Sequence, residues 1–115
     1  MEATGKVTAA EQSAATSTID VEGMTIEVNT QARGSWDAVF MLRDINKLRK
    51  RYAELPDGEE KNELVGDVLA IMLEYVCFTS DLTREKISEH LGKYASVANV
   101  SSFISKALKA INAKN

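Results

Sequence analysis

The chain has 115 residues, with a single cysteine, a single histidine, and only three phenylalanines, three tyrosines and one tryptophan. Each scarcity excludes something. A lone Cys77 rules out an internal disulfide framework and a cysteine-based zinc site, and it suits a reducing compartment. The lone His90, between Glu89 and Leu91 on a short helical stretch, reads as a solvated surface imidazole. There is no glycine-rich phosphate loop, Gly-x-Ser-x-Gly elbow, His-Glu-x-x-His pair or calcium loop. This inventory predicts no enzyme, no catalytic residue, no cofactor and no metal. No apolar run approaches the roughly 18–20 residues that cross a bilayer, and the start of the chain lacks a basic segment followed by an apolar one. The expectation is a soluble, cytoplasmic protein.

The net charge of −3 gives the molecule as a whole no long-range attraction for nucleic acid or an anionic membrane. The charge is nonetheless segregated. Residues 1–32 carry one base against five acids, residues 33–55 six against three, residues 56–78 one against six, and residues 79–115 six against three. Two basic segments therefore alternate with two acidic ones.

With 44% apolar residues the chain can bury one modest core, so a single domain is expected. Residues 1–18 are rich in Ala, Thr and Ser and hold too few large apolar groups to offset the entropy of ordering, which predicts a disordered tail. In IDVEGMTIEV, residues 19–28, apolar positions alternate on both sides of Glu22-Gly23, the period of a β-hairpin. Two isolated strands are marginal in water, so the hairpin has to lean on helices or on another chain. Four helices follow, giving a mainly α fold, a small four-helix domain preceded by the hairpin. Ser35 caps the first, to about Leu55, with a stripe of Ala38, Met41, Ile45, Leu48, Tyr52 and Leu55. Trp36 and Phe40 fall on its other side, beside Arg43 and Lys47. Either the hairpin covers the two aromatics, the expectation carried forward, or they form a partner-binding patch. Pro56-Asp57-Gly58 turns the chain into a second helix, residues 59–78, apolar over most of its circumference apart from a strip of Glu63, Asp67 and Glu74. Cys77, at the margin of that apolar surface, reads as a small packed hydrophobe.

Leu82 to Ile111 imitates a DNA-binding helix-turn-helix. Thr83 caps a short helix with Ile87 and Leu91 inward, Gly92 stops it, and a last helix from about Ser96 buries Val97, Val100, Ile104, Leu108 and Ile111. The turn from Gly92 to Val100 is longer than in the tight form of that motif, although a winged-helix arrangement tolerates it. The outward positions are Ser101, Ser102, Ser105, Lys106, Lys109 and Asn112, without the arginine that most often reads base edges. Two lysines contact phosphates without discriminating sequence. Two packed helices are therefore the preferred reading of this stretch, and a DNA-binding regulator is the alternative.

The order of parts resembles a phage tail assembly chaperone, the kind of protein encoded between the tail tube and tape-measure genes. The resemblance rests on the strand pair IDVEGMTIEV, the tryptophan-led helix GSWDAVFMLRDINKL, the apolar helix ELVGDVLAIMLEYV and the closing KYASVANVSSFISKALKAINAKN, covering Ile19 to Asn115. It implies a non-enzymatic factor of a phage or prophage, acting in the bacterial cytoplasm, that binds and solubilises the long helical tape-measure protein. The tail tube protein and a frameshifted longer form of the chain itself are further partners that it implies. Helix-in-groove binding requires exposed apolar surface with rim charges, and Trp36, Phe40, Arg43 and Lys47 are the residues that fit.

The frameshift implied by the resemblance has a genetic test. Ala113-Lys114-Asn115 is encoded GCA-AAA-AAC when the gene carries the slippery run A-AAA-AAC, and that run with an overlapping downstream frame is the expected result of sequencing the gene. An AAG codon for Lys114, no slippery run nearby and no overlapping frame would remove the extension.

Overall fold

The computed structural model describes residues 16–113. Strands β1 (Thr16–Val21) and β2 (Met24–Asn29) are followed by helices α1 (Thr30–Arg33), α2 (Trp36–Glu54), α3 (Glu59–Phe78), α4 (Arg84–Leu91) and α5 (Val97–Ala113). The mainly α fold with a leading hairpin is thus what forms. The four expected helices are joined by a fifth, the single turn α1, which is too short to show periodicity in sequence. It forms because the Asn29 side chain accepts a hydrogen bond from the Ala32 amide at 3.0 Å. The hairpin is also longer than expected. Thr16–Thr18, assigned to the tail, are strand, while the rest of the expected disordered tail, residues 1–15, lies outside the described residues.

Val21 pairs with Met24, leaving Glu22 and Gly23 as a two-residue turn with φ of 51° and 84°. Positive φ at both positions is what lets a tight turn follow the twist of its strands. Glycine adopts it freely, glutamate does not. Glu22 is held there from both ends. Its carbonyl oxygen lies 3.0 Å from His90 Nε2, and its carboxylate pairs with Lys106. His90 is therefore not simply solvated. It joins α4 to the hairpin turn and rests 5.7 Å, ring centre to ring centre, from buried Phe103.

Alternation then sorts the hairpin's faces. Val21, Ile26 and Val28 are buried in the main core with Ile19 and Met24 packed against them, whereas Thr25, Glu27 and Asn29 point outward. Two devices stabilise this otherwise marginal pair. The inner face lies against α5, through β1. The outer edge of β2 is occupied by the α3–α4 connection: Asn29 donates to the Thr79 carbonyl at 2.8 Å, Asp81 donates to the Glu27 carbonyl at 2.9 Å, and Glu27 donates back to Asp81 Oδ1 at 2.9 Å. A short third strand in effect closes the edge.

Among the helices α3 is central, packed against both α2 and α5. Leu64, Met72, Tyr75 and Val76 are buried, and Glu63, Asp67 and Glu74 are exposed, as the amphipathic pattern predicts. The Tyr75 hydroxyl donates to Asn112 Oδ1 at 2.7 Å, so a buried phenol ties α3 to the end of α5. Arg33 does the same for α1, donating to the Ile111 carbonyl at 2.9 Å. Ser35 caps α2 as expected, its hydroxyl accepting from the Ala38 amide at 3.3 Å. The α2 stripe is only partly buried: Ala38 and Ile45 are enclosed, Met41, Leu48 and Leu55 are half-buried, and Tyr52 is exposed.

Thr83 caps α4, and the Ser96 hydroxyl caps α5 by accepting from Asn99 at 3.1 Å. On α5 the structure corrects one assignment and widens another. Val97, expected in the core, is 60% exposed, because it sits in the first turn beyond the reach of α3 and the hairpin. Phe103 and Ala107 are fully buried alongside Ile104, Leu108 and Ile111. The hairpin covers a second side of α5, so its apolar face is broader than a single stripe.

This arrangement makes the hairpin part of the core rather than an appendage. Truncating fully buried Ile26 to Ala should lower the unfolding free energy by about 2–5 kcal/mol. Urea denaturation followed by circular dichroism would measure it as one transition for strands and helices together.

Candidate functional site: an aromatic and cationic helix face

Helix α2 begins at Ser35, whose cap fixes Trp36 as the first helical residue. From there a spacing of 4, 3 and 4 brings Trp36, Phe40, Arg43 and Lys47 to one side of the helix. The structure keeps all four together and exposed. Trp36 is 71% exposed and Phe40 48%, their rings meeting edge to face at 5.8 Å with an interplanar angle of 74°. The Arg43 guanidinium lies 5.1 Å from the centre of the Phe40 ring, within cation–π range. Neither Arg43 nor Lys47 has a carboxylate partner among the described residues.

The expectation that the hairpin covers Trp36 and Phe40 is overturned. The hairpin's apolar face is committed to α5 and the core, and nothing else among the described residues takes its place over the start of α2. Sequence reasoning also missed Val39, 57% exposed on the same face. Its position four residues before Arg43 was the signal for it. The face is thus apolar over its first turn and a half and cationic beyond, with Lys50 continuing the row.

The helix-turn-helix-like region looks different once folded. Of the two outer lysines of α5, Lys106 is engaged by Glu22, and Asn112 accepts the Tyr75 hydroxyl. Ser101 and Ser105 are half-buried. Lys109 remains outward, and with Asn46, Arg49, Lys106 and the apolar Leu42 and Leu108 it lines a groove of about 840 Å³ between α2 and α5. Cys77 is half-buried, and burial pushes its thiol pKa up despite the opposing field of Arg84. That is the state of a packed side chain rather than an activated nucleophile.

Among the described residues no helix is long and apolar enough to cross a membrane. No group of three or more His, Cys, Asp or Glu side chains there is arranged to hold a metal ion. No family profile, no curated protein and no solved structure matches the chain.

Exposure of the aromatic pair separates its contribution to stability from any contribution to binding. Trp36→Ala should change the unfolding free energy by no more than about 0.5 kcal/mol, as for surface positions outside the core. A loss of about 3–5 kcal/mol, the cost of truncating a buried aromatic, would mean that the ring is covered in solution.

Proposed function

We propose that the chain is a non-enzymatic tail assembly chaperone that uses the exposed face of α2 to hold an apolar helical segment of a phage tape-measure protein. The observation that supports this reading best is the uncovered Trp36, Val39 and Phe40 cluster followed by Arg43 and Lys47 on one helix. A long helical protein with an apolar stripe aggregates until its tube encloses it. A rigid aromatic cluster offers that stripe large contact area at little entropic cost, because each ring has only two rotatable bonds to fix. The cationic row alongside would bond acidic side chains at the rim and set the direction in which the segment lies. The resemblance over Ile19 to Asn115 supplies the identity of the partner, and the tail tube protein and a frameshifted longer form are the other partners it implies.

The α2–α5 groove, with Arg49, Lys106 and Lys109, favours the competing reading of a DNA-binding regulator. Phosphate contacts from such a groove would be strongly salt-dependent and poor in sequence information.

Co-expression distinguishes the two. The chain should raise the soluble fraction of the tape-measure protein encoded beside it, and the double substitution Trp36→Ala, Phe40→Ala should weaken the complex by about 2 kcal/mol, roughly 30-fold in Kd. Gel shifts with DNA from the same locus should show no complex at physiological salt. A specific complex that survives such salt and weakens with Lys106→Ala and Lys109→Ala would replace the chaperone reading with the regulatory one.

A further inference from the structure

A second apolar surface lies away from the α2 face, where α3, α4 and α5 meet. Helix α4 is anchored at its inner side by buried Ile87, at its start by Lys86 to Asp81, and near its end by His90 to Glu22. These anchors draw it toward the hairpin and leave a groove of about 370 Å³ between it and α3. Leu69 and Leu73 form one wall, Ile87 and Leu91 the opposite one, and Val100 and Ile104 the floor. The volume falls in the range of apolar binding sites, about 300–1,000 Å³. Val97 stands in line with Val100 and Ile104 on α5 and is exposed, so the apolar track continues past the groove's end.

The charged side chains that line the groove are both cations, while Glu85 and Glu89 stand outside it on the face of α4 that shares Arg84. Arg84 and Lys93 line it, and no carboxylate does. Arg84 is the first residue of α4 and Lys93 follows its Gly92 cap, so the eight residues of helix between them span about 12 Å. Carboxylates two turns apart on a helix have about that separation, with apolar side chains at the intervening i+3 and i+4 positions between them.

From this pattern we infer that the α3–α4–α5 groove is a second docking site, which takes an amphipathic partner helix carrying two apolar side chains flanked by carboxylates about two turns apart. The apolar pair fills the groove between Leu73 and Leu91, and the flanking carboxylates pair with Arg84 and Lys93. The site holds whether or not the α2 face engages a tape-measure protein, since none of its residues belongs to that face.

Gly66 supplies the test. It lines the groove, a Cβ built on it meets no atom within 4 Å, and its backbone is helical rather than left-handed, so a side chain can be added there. Gly66→Leu should therefore fill the groove while preserving the fold, with a melting temperature no lower than that of the wild type, because a glycine is removed from a helix interior. The probe is an alanine-based helical peptide of about 16 residues, with two leucines between glutamates two turns apart. Controls replace the glutamates by lysines, or the leucines by serines. Binding to the full chain is read from methyl resonances of Leu69, Leu73, Leu91 and Val100. The glutamate peptide should bind at least about tenfold more tightly than either control. Gly66→Leu should weaken it by a similar factor, Trp36→Ala should leave it unchanged, and Arg84→Glu with Lys93→Glu should reverse the preference toward the lysine peptide. Equal binding of glutamate and lysine peptides, no binding of the glutamate peptide, or undiminished binding to Gly66→Leu would each overturn the proposal. So would a self-associated wild-type chain that Gly66→Leu renders monomeric, because the occupant would then be a second copy.

Discussion

A two-stranded hairpin exposes a whole apolar face and two open edges, and it has no stable existence in water without something to cover them. Much of this molecule follows from meeting that constraint. Ile26 and Val28 are wholly buried in the common core, where β1 packs the hairpin against α5. One edge of β2 is occupied by Thr79 and Asp81, which in turn fixes where α3 ends and where α4 begins. The turn at Glu22 is held by His90 from α4 and Lys106 from α5. The hairpin thus gathers the second half of the chain around itself.

The same commitment leaves α2 short of partners. It packs along α3 through Ala38 and Ile45, but the hairpin that could have covered its other side is already occupied. Trp36, Val39 and Phe40 stay in solvent for that reason. An exposed tryptophan at the first residue of a capped helix, with a phenylalanine edge to face and an arginine over that ring, carries a desolvation incentive that a partner can satisfy. The groove beside α4 has a related origin. Holding α4 against the hairpin separates it from α3, and the leucines facing each other across that gap are left half-buried.

Electrostatics follows the segregation visible along the chain. The acidic strip of α3 faces solvent, and one contact across the helical turn, Arg51 to Glu60 at 3.0 Å, uses the opposite signs of neighbouring segments to align α2 with α3. That pair is well exposed and contributes little energy. The cations on the exposed face of α2 and those lining the α4 groove have no such partners among the described residues.

The sequence by itself determined the elements. Period-two alternation around Glu22-Gly23, the caps at Ser35 and Thr83, the Pro56-Gly58 turn and the stop at Gly92 are local signals, read within a few residues, and the hairpin and four longer helices follow them. It also brought Trp36, Phe40, Arg43 and Lys47 onto one helix face, since helical spacing is a local property as well. Only the tertiary structure decided which apolar surfaces are covered. Periodicity reports which residues share a face and not what stands opposite it, so the hairpin's choice of α5 over α2, the exposure of Val97, the complete burial of Phe103 and the engagement of His90 were all beyond its reach. Glu22 and Lys106 are 84 positions apart. A contact over that distance is specified by packing of whole elements, and no local pattern encodes it.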